Sequence, residues 1–268
     1  MLGLLILSMI AGLIGSIFGL GGGIIVVPVL TVLYDMPTVE AAAISLVAIV
    51  AISSTSASTL IRNRVSNVRI GLRLEVAAAA GAIVGAAIAL YVESWVLATA
   101  FALVLIYSAV YMFLKPERQA DKGSPDDEFV YHDERTNEDV PYNAENVGTG
   151  MIGFVAAGIT SALTGVGGGT IKIPVMNVHM RMPIKAATAT SSYVIGLTAF
   201  SGAIIFLLTG VLTEIVQTAA IVVIGAFAGS LIGLKILPRI NAQGLRRYFS
   251  VLLIFLACVM LLNVGGVI

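Results

Sequence analysis

The sequence predicts an all-α fold of the polytopic membrane type, for three reasons. Of the 268 residues, 58% are hydrophobic and 11% are charged, whereas an ordinary globular domain has about 25% charged residues. The mean hydropathy is +1.01. Several apolar stretches have roughly the 20 residues with which a helix crosses the hydrocarbon core. The apolar stretches are residues 2–18, 41–61, 76–92, 95–114, 148–164, 186–209, 215–234 and 249–262.

A glycine-rich motif follows the first apolar stretch and returns after the fifth. The first copy, GLGGGIIVVPVL, covers residues 19–30, and the second copy, GVGGGTIKIPVM, covers residues 165–176. A shift of 146 residues aligns the two copies and also aligns Ser45 with Ser191. The chain is therefore predicted to consist of two related halves.

Later in each half the shift becomes 144 residues and aligns GAIVGAAIAL at 81–90 with GAFAGSLIGL at 225–234. The glycines of this second motif, spaced four apart, predict close helix packing. The segment between the halves holds ten of the fifteen acidic residues and is expected to be a solvated loop. The predicted divisions are a first membrane repeat, 1–114, an acidic cytoplasmic linker, 115–147, and a second membrane repeat, 148–268.

The distribution of Lys and Arg predicts that the two repeats are inverted in the membrane. Basic residues near helix ends favour the cytoplasm. The link 62–75 has four arginines and its counterpart 209–214 has none, whereas the link 177–185 is basic and its counterpart 34–40 is not. Inverted repeats are a common plan of secondary transporters. We expect 62–75, 115–147 and 235–247 inside and both termini outside.

Each repeat is then predicted to contain a glycine-broken helical hairpin and three transmembrane helices. The piece from Ile24 to Tyr34 has 11 residues, which is about 16 Å as a helix, or half of the hydrocarbon core. The hairpins are therefore either re-entrant, with their breaks deep in the membrane, or fully spanning in a thinned bilayer. Eight to ten membrane segments are compatible with the sequence.

The glycine motif does not fit a nucleotide-binding loop. No Lys-Ser or Lys-Thr pair follows the glycines, and Ile24 and Thr170 occupy the place of the third fingerprint glycine. A helix that restarts after a break instead directs free N–H groups at that break, and such a site suits an anion. The alternative is that the glycines only permit tight packing. The candidate anion-binding glycines are Gly21, Gly22, Gly23, Gly167, Gly168 and Gly169, with Pro28 and Pro174 as structural residues.

Lys172 is the one basic residue predicted to lie within an apolar hairpin, and its repeat partner is Val26. An ionisable group at this depth is a functional candidate. Three roles stay open for Lys172: direct substrate binding, a structural or gating role, and snorkelling to the interface. Hydroxyl groups either line an anion path or join helices. The hydroxyl candidates for substrate binding are Ser45, Thr170, Thr190 and Ser191.

The sequence also argues against enzyme and metal-site interpretations. No His/Cys/Glu cluster has metal-ligand spacing, and no Asp or Glu is predicted at the centre of an apolar stretch. We therefore expect no metal, no cofactor, no catalytic residue and no nucleic-acid partner. Without a central carboxylate as proton relay, anion export would be driven mainly by the membrane potential, which is worth about 2.3 kcal/mol per charge at 100 mV.

The doubled glycine–proline motif, each copy followed by a Ser/Thr-containing helix, resembles the sulfite exporter TauE/SafE family over both halves. The resemblance implies a multi-pass transporter of the cell membrane that exports sulfite, sulfoacetate or another organosulfonate. Its motif carries over onto the same glycines and onto Pro28 and Pro174. Alternating access is the expected mechanism, and an anion channel and a non-transporting membrane scaffold are the alternatives. The expected partners are a small anion and the lipid bilayer, and a homodimer is compatible.

Overall fold

A computed structural model describes residues 2–114, 129–133 and 136–237, together with 251, 254–255, 257–259 and 262. Most of the described residues are helical, and five helices among them are long and apolar enough to cross a membrane. The predicted class, a polytopic helical membrane protein, is confirmed. The helices are α1 (Leu2–Phe18), α2 (Gly23–Pro28), α3 (Thr38–Arg62), α4 (Val68–Ala89), α5 (Ser94–Leu114), α6 (Val147–Thr164), α7 (Gly169–Pro174), α8 (Ile184–Leu208), α9 (Val211–Glu214) and α10 (Val216–Ile236).

Three sequence predictions fall wholly or partly outside the described residues. They are the first part of the acidic linker, 115–128, the link 238–247, and most of the apolar stretch 249–262.

The two halves interlock through their second glycine motifs. Helix α4 of the first half packs along α6 of the second half, and α10 packs along α1 in the corresponding way. A side chain at Gly81 would collide with the backbone of Val155, and one at Gly229 would collide with the backbone of Met9. Small residues let helix backbones approach closely in membranes. The packing role predicted for these glycines is therefore what the structure shows.

Each half begins with a hairpin whose returning arm is short. The six-residue α2 continues into a five-residue π-helical turn, Val29–Leu33. The six-residue α7 likewise continues into the π-helical turn Val175–His179. Pro28 and Pro174 stand where the α segment gives way to the π turn, because proline lacks an N–H group and its ring clashes with the preceding turn. We call residues 2–33 the first hairpin and residues 147–179 the second hairpin.

The second hairpin begins and ends at the same face of the molecule. Asn146, just before α6, donates a hydrogen bond from Nδ2 to the His179 carbonyl at 3.2 Å. The Thr149 hydroxyl lies 2.7 Å from Nε2 of His179. The returning arm of 11 residues covers about 16 Å at 1.5 Å per residue. The arm therefore has about half the length of the hydrocarbon core, and both the re-entrant hairpin and the spanning hairpin in a thinned bilayer stay predictions.

Helix α4 begins at Val68, whereas the sequence predicts a loop over 62–75 and a helix from residue 76. Asn67 caps the helix, with Oδ1 accepting a hydrogen bond from the Ile70 N–H at 3.0 Å. Ile70 and Leu74 are buried, whereas Arg69 and Arg73 lie on the exposed face, where the helix can continue in contact with water. The loop assignment is wrong from Val68 onward, and Glu75 lies two turns inside a membrane helix.

The acidic linker is not only a solvated loop. Strands β1 (Phe129–Asp133) and β2 (Glu138–Tyr142) form an antiparallel β-hairpin, which we call the linker hairpin. Its Tyr131 and Tyr142 are buried in one apolar cluster with helix residues. Burial raises the pKa of Tyr142 to about 12, against the lowering effect of its hydrogen bond with Asn67. Aromatic side chains at alternate strand positions explain this docking.

Contacts place the linker hairpin, the α3–α4 link and the start of α8 at one end of the molecule. The His132 N–H donates to the Arg64 carbonyl at 3.1 Å, and Lys185 Nζ binds Asp133 Oδ1 at 2.7 Å. The first hairpin leads into the opposite end of α3, at Thr38. These contacts agree with inverted repeats that share one cytoplasmic face, and the inversion itself stays a prediction.

Candidate functional site

The two glycine breaks meet in the interior of the protein. Gly22 and Gly168 have φ values of 77° and 75°, in the left-handed region that favours glycine. A side chain at Gly23 would collide with the Gly165 carbonyl, and one at Gly169 would press on the backbone of residues 19–20. The glycines are required both by the backbone conformation and by the approach of one break to the other.

The repeat-matched serines join the breaks crosswise. The Ser191 hydroxyl, from the second half, donates a hydrogen bond to the Gly19 carbonyl of the first break at 2.9 Å. The Ser45 hydroxyl, from the first half, donates to the Gly165 carbonyl of the second break. Each hydroxyl therefore satisfies a carbonyl that the broken helix leaves without an intrahelical partner. The structure brings Ser45 and Ser191 to the breaks, and substrate contact by either serine stays a prediction.

Two other hydroxyl groups near the breaks have no hydrogen-bond partner among the described residues. Ser161 lies beside Gly168, and Ser192 lies beside Gly19. Both are nearly inaccessible to solvent. Buried polar groups are normally paired, so these two hydroxyls are available to a bound molecule. Neither hydroxyl is among the candidates predicted from the sequence, and the repeat gives no signal for them, since their repeat partners are Gly15 and Leu46.

The two threonine candidates have different surroundings in the structure. Thr170 is buried in the first turn of α7, next to the second break. Thr190 instead accepts a hydrogen bond at Oγ1 from the Asn67 N–H at 2.9 Å. The Thr190 hydroxyl therefore holds the start of α4 against α8.

Lys172 is fully buried and belongs to a closed polar network, which rules out the snorkelling alternative. Its Nζ donates to Glu75 Oε2 at 2.9 Å and also to the Thr198 hydroxyl. The Thr198 hydroxyl in turn donates to Glu75 Oε1. The Phe154 ring centre lies 5.5 Å from Nζ. We call Lys172, Glu75 and Thr198 the triad.

The triad corrects the expectation that no carboxylate lies inside an apolar helix. Glu75 is only 3% exposed, and it was missed because its helix was expected to start at residue 76. A signal was present: a helix over 68–89 puts Glu75 on one face with Ala78 and Ala82, both fully buried. The isolated cation inferred from the sequence is in fact a neutralised ion pair.

The pseudo-symmetric position, formed by two residues of the first half and one residue of the second half, has no such network. The repeat partners of Lys172, Thr198 and Glu75 are Val26, Ile52 and Ala219, by the shifts of 146, 146 and 144 residues. All three are buried in one apolar cluster. Within the part of the chain that the structure describes, the triad thus has an apolar counterpart at its pseudo-symmetric position.

Comparison with known proteins identifies the family. The profile described as "Sulfite exporter TauE/SafE" matches residues 4–260. This chain belongs to the TauE/SafE family. No solved structure matches it. This family does not consist of enzymes, and the chain is a multi-pass protein of the cell membrane.

Two relatives of this TauE/SafE chain are named as transporters. It is 27% identical over 267 residues to "Probable membrane transporter protein YunE" of Bacillus subtilis, covering 95% of each chain. It is 28% identical over 272 residues to "Probable membrane transporter protein MJ0441" of Methanocaldococcus jannaschii, covering 97% of this chain and 94% of the relative. The family and these names support a membrane transporter of the TauE/SafE type.

Proposed function

We propose that the protein exports a small sulfur-containing anion, such as sulfite, sulfoacetate or another organosulfonate, by alternating access. The anion binds where the two glycine breaks meet, beside Lys172. The observation that carries this proposal is the convergence of two broken helices and one buried amine in the interior of a membrane protein. The substrate class follows the description of the family, and the geometry supports an anion of small size.

Several donors around the breaks favour an anion. The first N–H groups of α2 and α7 have no acceptor within their own helices, and the positive ends of both helix dipoles face the breaks. The hydroxyls of Ser161 and Ser192 add two donors of neutral charge. Lys172, in the last turn of α7, holds an ammonium group beside the site, paired with Glu75 when no anion is bound.

The packing around the breaks favours a carrier over an open channel. The side chains of Ile49 and Ile195, which are repeat partners, press on Gly21 and Gly167. Both isoleucines are nearly inaccessible to solvent. The glycines of both breaks are buried as well, so we expect a substrate to reach the site only when a hairpin moves against the surrounding helices. Exposed apolar side chains on α4, such as Val76 and Val84, suit contact with the lipid bilayer.

Flux measurements in proteoliposomes test the proposal. The purified protein is assayed with sulfite, a sulfonate, sulfate and thiosulfate, and we expect saturable flux of at least one sulfur oxyanion. Gly168→Val should abolish it, because the side chain would meet the Ala157 carbonyl and force a left-handed conformation on valine. Gly148→Val is the matched control, since a side chain at Gly148 meets nothing within 4 Å. Absence of flux for every anion would refute the proposal, and unitary currents would indicate a channel instead.

A further inference from the structure

We propose that Glu75 is a proton-binding site, and that its protonation releases Lys172 to the anion, so that one proton and one anion are bound together. This inference rests on the proposed transport function and adds the coupling ion. A hydronium ion of the aqueous phase gives its proton to a carboxylate oxygen of Glu75 and is left as water. One O–H bond breaks in the hydronium ion and one forms at Glu75; Lys172 remains an ammonium group throughout, and no other covalent bond changes.

The contacts within the triad show why the anion needs the proton. Ionised Glu75 uses both oxygens, one for Lys172 and one for Thr198. Lys172 donates hydrogen bonds to Glu75 and to Thr198. Its ammonium group also lies over the Phe154 ring. An anion at Lys172 would place a second negative charge beside Glu75 in a site that excludes water, where charges interact strongly. Protonation of Glu75 removes that repulsion and frees the amine for the anion.

Lys172 is the charged partner in direct contact with Glu75. Helix α6, which packs along α4, has no titratable side chain, and α7 has only Lys172. Lys185 of α8 is paired with Asp133, and Tyr193 of α8 lies within electrostatic range of Glu75. The other titratable side chains on these elements, within the described residues, are the exposed Arg69 and Arg73 of α4 and, on the linker hairpin, Tyr131, Tyr142, Glu138 and the pair His132–Asp139.

The position of Glu75 gives the proton a short path from one face. Glu75 is seven residues beyond the first residue of α4, which is about 10 Å along the helix axis. That end of α4 carries the linker hairpin and the basic α3–α4 link. A proton therefore reaches the triad without crossing the glycine breaks, once the second hairpin loosens.

The apolar counterpart of the triad indicates how many protons one chain binds in each transport cycle. Val26, Ile52 and Ala219 offer no proton-binding group, so each chain takes up one proton per cycle at this site. A monovalent anion bound with one proton adds no net charge. Transport of a monovalent sulfonate is then electroneutral and follows the pH gradient, in contrast to the voltage-driven export that the sequence alone suggested. Because an inside-alkaline cell drives the proton inward, net export by this route requires an inside concentration of sulfonate that exceeds the outside concentration by more than about tenfold per pH unit.

The test uses proteoliposomes of the full chain with a labelled monovalent sulfonate, which stays charged across the working pH range. Valinomycin with equal potassium on both sides holds the voltage at zero, and the outside is acidified by one pH unit. We expect uptake of the sulfonate to about tenfold the outside concentration, the limit for one proton per anion. An internal pH dye should record about one proton per sulfonate.

Variants separate coupling from transport. Glu75→Gln resembles the protonated carboxyl, so it should lose accumulation over the gradient, and the tracer exchange that it retains at equal pH should be uncoupled from protons. Its exchange rate should also no longer change with pH. Glu214→Gln, at an exposed glutamate of α9, is the matched control and should accumulate sulfonate as the parent does. Glu75→Asp keeps a titratable group and should retain proton-driven accumulation at a lower rate.

Each outcome decides one of the two proposals. Sulfonate flux that follows voltage without proton uptake, or proton-driven accumulation that survives Glu75→Gln, overturns the coupling role and leaves transport intact. Absence of tracer exchange in the parent under all gradients overturns the proposed function instead. If Glu75→Gln aggregates on gel filtration, the proton-to-sulfonate ratio of the parent and the behaviour of Glu75→Asp still decide.

Discussion

Removing one member of the triad should destabilise the protein far more than removing all three. Lys172→Ala leaves the carboxylate of Glu75 buried with only the Thr198 hydroxyl as partner. Breaking a buried ion pair in this way costs about 3–5 kcal/mol. The chain itself contains an apolar alternative, because Val26, Ala219 and Ile52 pack together at the pseudo-symmetric positions.

The triple variant Lys172→Val/Glu75→Ala/Thr198→Ile copies that apolar filling. Replacing buried ion pairs by packed apolar residues is often neutral or stabilising, and volume-conserving swaps cost less than about 1.5 kcal/mol. The larger isoleucine returns part of the volume that the other two changes remove. We therefore expect the triple variant to be more stable than Lys172→Ala by at least about 1.5–3.5 kcal/mol, the difference between these two estimates.

Thermal unfolding in detergent, followed by the fraction of protein that stays monodisperse on gel filtration, measures the order of stabilities. We expect the parent and the triple variant to unfold at similar temperatures, and Lys172→Ala to unfold at a clearly lower temperature. Anion flux should be lost in both variants, because both lack the amine. The reasoning is wrong if Lys172→Ala unfolds with the parent or if the triple variant unfolds before Lys172→Ala.

Three further predictions concern the amine, the topology and the linker hairpin. Lys172→Arg should restore flux only partly, as a guanidinium is planar and larger and fits the triad poorly; the apparent affinity for the anion measures this, and full parental affinity would contradict it. Gly123→Cys and Ile268→Cys, each in a Cys258→Ala background, should react with an impermeant thiol reagent from opposite faces, position 123 from the inside; labelling of both from one face would exclude the inverted scheme. Tyr142→Phe should cost about 1 kcal/mol for one lost hydrogen bond. Because burial raises the folded pKa of Tyr142 from 10.0 to about 12, the parent is stabilised fully below pH 10 and loses that contribution as pH rises through 12. The phenylalanine variant should lack this alkaline loss, and an unchanged pH profile would refute the assignment.

Much of the architecture follows from local sequence pattern alone. Hydropathy over about 20 residues locates helices such as α1, α6 and α10, because burying backbone in lipid requires a complete intrahelical hydrogen-bond set. The glycine–proline motifs predict the two short returning arms, since glycine and proline limit backbone conformation wherever they occur. The internal repeat is visible in the sequence, and the alignment of its two copies predicted Ser45 and Ser191 as a matched pair.

Tertiary structure decided what these residues do to one another. Glu75 and Lys172 are 97 residues apart, and nothing in either local pattern shows that α4 and α7 pack with these two side chains face to face. A cap at Asn67 and a buried face at Ile70 and Leu74 extend α4 through a segment whose arginines suggested a loop. The linker tyrosines likewise become core residues only because helices offer them an apolar surface. Composition and periodicity determine the helices, the helix breaks and the membrane class. The pairing of charges depends instead on long-range packing, which places Glu75 and Thr198 around the lysine that the sequence shows as an isolated charge.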